Sequence, residues 1–340
     1  MKSLTLLLSS AGRRPYLVEW FQHAFQLNGV SGRVVVVDSD RHAASRDAAD
    51  KFLVAPPVVN SGYEPWLANV LLGEDVDLAV SVNDFELSRW SKLRADFPRV
   101  DRLLRLEADT HRVIEDKLLM ASALLEHGVR VPRTQTASSA LNGLDRAGTE
   151  FVTKGRFGSA SRGLRMVTAD TLHEMIHDAL REVTDASGRP VSMSALDRFE
   201  SLVVQDRVQG EEFGLDVVSD LDGKHAATLA RRKIAMRAGE TDRAVSVDAA
   251  QFETLGQRIS TAIPHRGSID VDVLVDVDGE AWVIDVNPRF GGGYPFSHLA
   301  GAHTPAAYVA WLAGVVPKQA WLESEPGIIS SKFVGVARTV

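Results

Sequence analysis

One segment restricts the fold more than any other: residues 269–293 read IDVDVLVDVDGEAWVIDVNPRFGGG. Polar and apolar residues alternate on both sides of Asp278-Gly279, the turn signal of a β-hairpin with a two-residue loop. Successive strand residues point to opposite faces, so four polar side chains share one face. They pair across the strands, Asp272 opposite Asp285 and Asp270 opposite Asn287. The other face is predicted to be core, with Val271, Val273 and Val275 against Val286, Ile284 and Trp282.

The facing carboxylates of Asp272 and Asp285 indicate a cation site. Their β-carbons are expected about 5 Å apart, where like charges repel each other. Oxygen ligands on rigid strands favour Mg²⁺ or Mn²⁺, with phosphate oxygens and water completing the shell. Arg289 lies just beyond and can neutralise a transferring phosphoryl group, beside glycines that admit a ligand close to the backbone. The alternative is a solvated acidic face on an edge hairpin.

A glycine-rich loop, residues 155–163 (GRFGSASRG), joins two short predicted strands. Its small residues and free backbone N–H groups can form an anion nest over phosphates, which Lys154 at its entrance can reach. Gly158 and Gly163 have the spacing of a P-loop, but Leu164-Arg165 stands where Lys-Ser/Thr is required. A P-loop is therefore excluded, and the alternative is an ordinary hairpin loop.

A second hairpin, with Asp222-Gly223 at its turn, places Glu212 opposite Lys233. Glu212 can instead accept hydrogen bonds from ribose hydroxyls. Positive charge that suits a triphosphate is concentrated on the second strand, at Arg231, Arg232, Lys233 and Arg237. The alternative is a set of surface ion pairs, each worth under about 1 kcal/mol.

Composition excludes several classes of protein. The 340 residues contain 38 Lys+Arg against 45 Asp+Glu, and a net charge of −7 does not suit a general nucleic-acid binder. The absence of cysteine removes disulfides, thiolate nucleophiles and Cys-ligated metal centres. No apolar run reaches the roughly 18 residues of a membrane span. We therefore expect a cytoplasmic protein without nucleic-acid or membrane partners, and a two-fold homodimer.

The chain divides into a parallel and a mainly antiparallel part. Strands at residues 4–8, 33–37 and 78–82, with a helix at 15–27, form a βαβ-type pattern with a parallel sheet. A single helix is predicted over residues 111–126, followed by a polar connector over 133–150. The later strands are predicted near 151–154, 164–167, 201–206, 213–220, 225–234 and 269–287, and the later helices from residue 171 and near 248–263.

These motifs, in this order, make the chain resemble the ATP-grasp superfamily, and within it single-module proteins related to the large subunit of carbamoyl-phosphate synthase. The motifs are SAGRR at 10–14, EDKLLM at 115–120, VTKGRFGSASRG at 152–163, VVQDRVQGEEF at 203–213 and IDVNPRFGGGYP at 284–295. The resemblance implies a Rossmann-like pre-ATP-grasp domain with a parallel α/β sheet, followed by a two-subdomain α+β ATP-grasp fold. The implied bounds are 1–107 for the first domain, 108–185 and 186–322 for the subdomains, and 323–340 for a tail.

The resemblance also implies a site between the two subdomains. Its cofactors are ATP and Mg²⁺ or Mn²⁺, with two ions. Contacts to the phosphates are implied for Lys117, Lys154 and the lid residues Gly158, Ser159, Ser161 and Gly163. Contacts to adenine and ribose are implied for Gln205, Asp206, Val208 and Glu212. The implied metal ligands are Asp272, Asp285 and Asn287, and the implied catalytic residues are Arg289, Lys154 and Arg237.

The activity that the resemblance implies is ligation of a carboxylate to an amine. ATP phosphorylates the carboxylate, the amine attacks the acyl phosphate, and an amide, ADP and phosphate are released. The partners are therefore small-molecule carboxylates and amines, amino acids among them. Substrate contacts are predicted at Arg13, Asp84, Glu86, Arg232, Gly292 and His298.

Several other functions are alternatives. Phosphorylation of carbamate or another carboxylate can be the endpoint, without an amine step, and an ATP-binding module can regulate rather than catalyse. Residues 173–177 (HEMIH) match the HExxH motif of zinc hydrolases, although Val183 stands where the extended motif needs a further histidine. A dinucleotide site is disfavoured, because the turn after the first strand has Gly12 alone, followed by two arginines.

Overall fold

The computed structural model describes residues 3–143, 149–158, 163–184, 189–195, 197–237 and 239–339. The predicted lid contacts Ser159 and Ser161 lie outside these ranges. The described part forms one parallel and two antiparallel sheets, which confirms the predicted fold class. Within this part, no helix is long and apolar enough to cross a lipid bilayer.

The N-terminal part is a four-stranded parallel sheet with strand order β3-β2-β1-β4. Residues 34–37 of its second strand are all valine with 0% exposure, because helices cover both faces of a parallel sheet. Its elements are β1 (Leu4–Ser9), α1 (Pro15–Leu27), β2 (Gly32–Asp38), β3 (Lys51–Val54), α2 (Tyr63–Gly73), β4 (Leu78–Ser81) and α3 (Asp84–Ser91).

The predicted helix over residues 111–126 is two helices, α4 (Ala108–Glu115) and α5 (Lys117–Glu126). Asp116 between them is extended, with φ −103° and ψ 105°, and its carboxylate accepts hydrogen bonds from the backbone N–H groups of Leu118 and Leu119. An aspartate N-cap starts a new helix in this way. The break places Lys117 at the first position of α5.

A small antiparallel sheet with strand order β5-β8-β6-β7 follows. The predicted connector over residues 133–150 is wrong, because it contains a short strand and a helix whose Ala137 and Ala140 pack on Phe151 in one core. Strand β8 lies beyond residue 185, the predicted end of the first subdomain. The elements are β5 (Thr134–Thr136), α6 (Ala137–Gly143), β6 (Glu150–Gly155), β7 (Arg165–Thr168), α7 (Leu172–Leu180) and β8 (Leu202–Asp206).

The largest sheet is antiparallel, with strand order β13-β12-β9-β10-β11-β14. Its last strand lies in the predicted tail and pairs with β11. The elements are β9 (Gly210–Ser219), β10 (His225–Arg237), β11 (Glu240–Ser246), α8 (Glu253–Ala262), β12 (Gly267–Asp276), β13 (Ala281–Asn287), α9 (Tyr294–Leu299), α10 (Thr304–Leu312) and β14 (Ile329–Ser331). Four 3₁₀ turns complete the described elements, at Val100–Arg102, Arg198–Ser201, Ala249–Phe252 and Gln319–Leu322.

The β12–β13 hairpin has the predicted polar face, but its loop is one residue longer than predicted. Asp276 pairs with Glu280, and Gly279 takes φ +80°, as in a three-residue loop. A bulge at Ile284 compensates, so Asp272 still faces Asp285 and Asp270 still faces Asn287.

The bulge changes which residues of the hairpin reach the core. Val283, 1% exposed, pairs with Val273 and packs in the core, in place of the predicted Ile284 and Trp282. Trp282 instead donates its indole N–H to the carboxylate of Asp276, at 2.8 Å. The other predicted core residues, Val271, Val273, Val275 and Val286, pack in or against this core.

One hydrophobic core joins the parallel sheet to the segment that follows the hairpin. The ring of Phe290 lies 6.2 Å from that of Phe21 in α1 and 5.4 Å from that of Tyr308 in α10. All three side chains are buried. The turn that leaves β13 is therefore held between the N-terminal domain and the large sheet.

Candidate active site

The polar face of the hairpin is surrounded by lysines from three other elements. Lys117 Nζ lies 2.8 Å from Asp285 Oδ1, and the N-cap at Asp116 fixes its place. Lys154, at the end of β6, donates to the backbone carbonyl of Ile284 at 2.7 Å. Two predicted phosphate contacts and a predicted metal ligand are thus brought together.

Lys233 completes this group, and the predicted site omits it. Its Nζ lies 2.6 Å from Asp272 Oδ1 and 2.7 Å from Glu212 Oε1. The predicted pairing of Glu212 with Lys233 is confirmed. The contact between Lys233 and Asp272 is not predicted from the sequence. Their strands, β10 and β12, are separated in the sheet by β9, and nothing local in the sequence indicates that strand order.

The charges in this group shift each other's protonation. Burial and the charge of Asp270 raise the pKa of Asp272 to about 6, although Lys233 opposes them. Burial also acts to raise the pKa of Asp285, but the ammonium groups of Lys117 and Lys154 outweigh it and hold that pKa below its usual value. Burial and the charge of Lys117 lower the pKa of Lys154 to about 8.

The oxygen atoms of Asp272, Asp285 and Asn287 fit a hard divalent cation whose other ligands come from a nucleotide. Asp272 and Asp285 face each other, and the Asn287 amide lies 3.5 Å from the Asp285 carboxylate. Among the described residues, no group of three or more His, Asp or Glu side chains is arranged to hold a metal alone. Two carboxylates and an amide oxygen leave several positions for phosphate oxygens and water, the coordination usual for Mg²⁺.

Arg289 links the hairpin to the N-terminal sheet. Its guanidinium donates to both carboxylate oxygens of Asp84, at 2.7 and 3.0 Å. Asp84 begins α3, directly after the N-cap Asn83 at the carboxyl end of β4. The predicted catalytic arginine and this predicted substrate contact therefore form one bidentate pair, which is the strongest geometry for such an interaction.

A buried ion-pair cluster lies beneath the hairpin. Arg231, 1% exposed, donates to Asp216 at 2.6 Å and to Asp270 at 2.9 Å. Ser297 of α9 donates to the same oxygen of Asp216 at 2.6 Å. Asp270 is therefore neutralised by an arginine, and the polar face offers Asp272 and Asp285 to a cation.

Two of the three glycines after Arg289 pack closely on this cluster, so glycine is required there for packing and not only to admit a ligand. A Cβ atom on Gly291 would lie 2.2 Å from the Asp270 carboxyl group, and one on Gly293 would lie 2.2 Å from the Arg231 guanidinium. At Gly292 the nearest atom would be Lys332 Nζ, at 3.5 Å. None of the three has a positive φ, so the steric contact alone requires glycine.

Alanine at position 291 or 293 is expected to lower the free energy of unfolding by about 1–3 kcal/mol, the usual cost of overpacking. Gly292→Ala is the matched control, because its added methyl group meets only ordinary contact distances. Urea unfolding of the three variants provides the measurement. A Gly292→Ala loss as large as the other two would contradict the packing argument.

The predicted adenine strand is only partly a strand. Strand β8 ends at Asp206, so Val208 lies beyond it. The buried amide of Gln205 donates to Thr134 Oγ1 at 2.7 Å, which turns this side chain away from a ligand. Gln205 pairs through its backbone with Val152 of β6.

The two lid glycines that the structure describes are both in the left-handed region. Gly158 has φ +84°, and its carbonyl accepts from Lys117 Nζ at 3.4 Å. Gly163 has φ +68°, and its N–H donates to Glu182 at 3.4 Å. The start of the glycine-rich loop, at Gly158, therefore contacts Lys117, the lysine that pairs with Asp285.

Two predicted substrate contacts are structural instead. Glu86 is 1% exposed, and its carboxylate accepts from the hydroxyls of Ser9, Ser10, Tyr63 and Ser81. His298 is 9% exposed and stacks on Trp20, with ring centroids 3.7 Å apart. Both side chains are committed to packing between elements, which the spacing of residues after a strand does not reveal.

Three predicted cationic contacts lie at the surface. The Arg232 side chain is 42% exposed and pairs with Glu211 at 2.6 Å. Arg237 is more exposed, and its guanidinium lies 3.8 Å from the Asp242 carboxylate. Among the described residues, no ion pair joins Arg237 to Asp272 or Asp285. Arg13 is exposed and has no ion-pair partner in the described part of the chain.

A cavity of about 760 Å³ opens beside the hairpin. It is bounded by α3 and α4 on one side and by Asp285, Asn287 and Pro288 on the other, with Lys117 and Gly158 at its wall. This volume lies within the range of small-molecule sites. A molecule in the cavity would lie beside Lys117, Asp285 and Asp84.

The HExxH alternative receives no support. His173 and His177 share a face of α7 with ring centroids 5.9 Å apart, and His177 packs on Phe199. No third metal ligand joins them in the ranges that the structure describes.

Two family models match the chain. The model described as ATP-grasp domain covers residues 114–293, and the one described as PylC-like, N-terminal domain covers residues 6–102. No curated protein sequence matches.

Solved structures share the fold at low identity. Biotin carboxylase from Campylobacter jejuni, in a β,γ-ATP complex, has a TM-score of 0.71 at 15% identity and covers 95% of this chain and 74% of its own. N5-carboxyaminoimidazole synthetase from Staphylococcus aureus has a TM-score of 0.67 at 14% identity, and the match covers 94% of this chain and 80% of the synthetase chain. A third structure is the biotin carboxylase domain of Hydrogenobacter thermophilus 2-oxoglutarate carboxylase, in complex with MgADP and bicarbonate. It has a TM-score of 0.70 at 15% identity, and the match covers 96% of this chain and 72% of that chain.

The family match covers more than half of the chain and includes every lysine and carboxylate of the polar hairpin face. It confirms the resemblance that the motifs indicate, together with the cofactors of that family, ATP and Mg²⁺. This protein belongs to the ATP-grasp family and is an ATP-dependent ligase.

Proposed function

We propose that this ligase joins a small-molecule carboxylate to an amine through an acyl phosphate. The observation that supports the proposal most is the convergence of Lys117, Lys154 and Lys233 on the hairpin face that carries Asp272 and Asp285. Lysines gathered around paired carboxylates suit a polyphosphate with a bound divalent cation. The solved neighbours support the same class, since one of them holds MgADP and bicarbonate.

In the proposed reaction a substrate carboxylate oxygen attacks the γ-phosphorus of ATP, the bond to the β–γ bridging oxygen breaks, and ADP leaves. The amine then attacks the acyl carbon, the C–O bond to phosphate breaks, and the amine gives up a proton. Phosphate leaves with one oxygen from the carboxylate. The role proposed for Arg289 is to stabilise charge on the transferring phosphoryl group.

The remaining residue roles are proposed from the positions of the lysines and from what the family resemblance implies. Lys117, Lys154 and Lys233 neutralise the phosphates, and Asp272, Asp285 and Asn287 hold one or two Mg²⁺ ions, which supply charge neutralisation when bound. The residues proposed to cover the phosphates are Gly158, Ser159, Ser161 and Gly163. The adenine lies along residues 205–208 and the ribose meets Glu212.

The test uses purified protein with ATP, Mg²⁺ and pools of amino acids and small carboxylates. We expect phosphate and ADP in equal amounts that depend on one pool, and an amide product by mass spectrometry. ADP and a free acyl phosphate without an amide would favour phosphorylation as the endpoint. AMP in place of ADP would contradict the proposal.

A further inference from the structure

The C-terminal segment brings a lysine to the turn that carries Arg289. Strand β14 pairs with β11, and the backbone N–H of Lys332 donates to the carbonyl of Asp242 at 2.8 Å, which fixes the residue after the strand. The Lys332 ammonium lies 2.8 Å from Glu240 Oε2. Lys332 lies beyond the residues that the ATP-grasp model covers.

Lys332 and Arg14 approach the same turn from two directions. A Cβ atom on Gly292 would lie 3.5 Å from Lys332 Nζ and 3.7 Å from Glu240 Oε2. Arg14, after β1, donates to the carbonyl of Phe290 at 2.9 Å. The loop after β1 and the C-terminal segment therefore converge three residues or fewer from Arg289.

The charges at this point do not balance within the protein. The ammonium of Lys332, through its hydrogen bond, is the main cause that holds the pKa of Glu240 below its usual value, and Arg14 and Arg13 act in the same direction. Arg13 has no ion-pair partner among the described residues. Lys332 is paired with Glu240, whereas Arg14 contacts a backbone carbonyl, so the described residues offer neither arginine a carboxylate within ion-pair distance, in a chain whose net charge is −7.

We propose that Arg13, Arg14 and Lys332 form an anion site that binds a free carboxylate of the substrate. The C-terminal segment then supplies a specificity-determining residue, and the site accepts substrates that carry a carboxylate beside the reacting group. The proposal rests on the proposed function for the identity of the ligand. The excess positive charge next to Arg289 is independent of it.

The probe is succinate, titrated by calorimetry at constant ionic strength with MgADP saturating. We expect saturable binding to the wild type and a rise in Kd of about tenfold or more in Lys332→Ala and in Arg13→Ala, the loss typical of one charged hydrogen bond. Lys332→Arg is expected to restore most of the affinity. Lys224→Ala, an exposed lysine in the β9–β10 turn, is the matched control and leaves Kd unchanged.

Different results separate the two proposals. Equal succinate affinity in Lys332→Ala and the wild type, or no saturable binding to the wild type, would overturn the anion site. Tighter binding of inorganic phosphate than of succinate would overturn its assignment to a carboxylate. If succinate binds as expected but no pool supports phosphate release, the anion site stands and the proposed ligation does not.

Discussion

Arg231→Ala will lower the free energy of unfolding by about 3–5 kcal/mol, the usual cost of removing one partner from a buried ion pair. The side chains of Arg231 and Asp216 are 1% and 0% exposed, so this ion pair is shielded from solvent. Asp216 and Asp270 would be left as uncompensated buried carboxyl groups. The loss of stability relative to the wild type is expected to shrink as the pH falls, because protonation removes those two buried charges.

The neighbouring residue provides the control. Arg232 lies on the opposite face of β10, is 42% exposed and pairs with Glu211. Arg232→Ala is expected to cost under about 1 kcal/mol, as surface ion pairs do. Urea unfolding followed by circular dichroism compares the two variants. Equal losses would show that Arg231 is not the buried support of the hairpin that its contacts indicate.

Asp285→Ala will reduce ATP turnover by about 10³-fold or more, the loss expected when charge stabilisation is removed from a transferring phosphoryl group. Asp285 is the counter-charge of Lys117 and faces Asp272, so its removal leaves the proposed cation with one carboxylate and Lys117 without its ion-pair partner. ADP formation with the substrate pool provides the measurement.

Asp278→Ala is the matched control for this variant. Asp278 lies in the exposed loop of the same hairpin, and only its backbone N–H forms a hydrogen bond. We expect its turnover to equal that of the wild type. Turnover near normal in Asp285→Ala, with the control unchanged, would contradict the assignment of the polar face as the metal and phosphate site.

Much of the fold could be predicted because its signals are local. The valine run of β2 and the alternation along β12 and β13 each indicate a strand and its buried face. The break between α4 and α5 was not predicted, because one aspartate within a continuous helical pattern does not by itself mark the start of a second helix. The loop of the β12–β13 hairpin was predicted one residue too short, and the bulge at Ile284 restored the register at Asp272 and Asp285.

Which side chains face each other was predicted correctly where the residues lie on one hairpin, and was not predicted where distant elements decide. Asp84 and Glu86 both follow β4, but Asp84 meets Arg289 while Glu86 is closed off by hydroxyls from four separate residues. Arg231 and Arg232 are adjacent, yet strand alternation buries one and exposes the other. Lys233 reaches Asp272 across β9, because the sheet order brings β10 and β12 to the two sides of that strand.

The most direct test of the proposed chemistry follows oxygen from the carboxylate into phosphate. Wild-type protein is incubated with ATP, Mg²⁺, amines and carboxylates labelled with ¹⁸O in the carboxyl group, and the released phosphate is analysed by mass spectrometry. An acyl-phosphate mechanism predicts one ¹⁸O atom in each phosphate formed. Phosphate without the label would show that water rather than a carboxylate attacks ATP, and would contradict the proposed ligation.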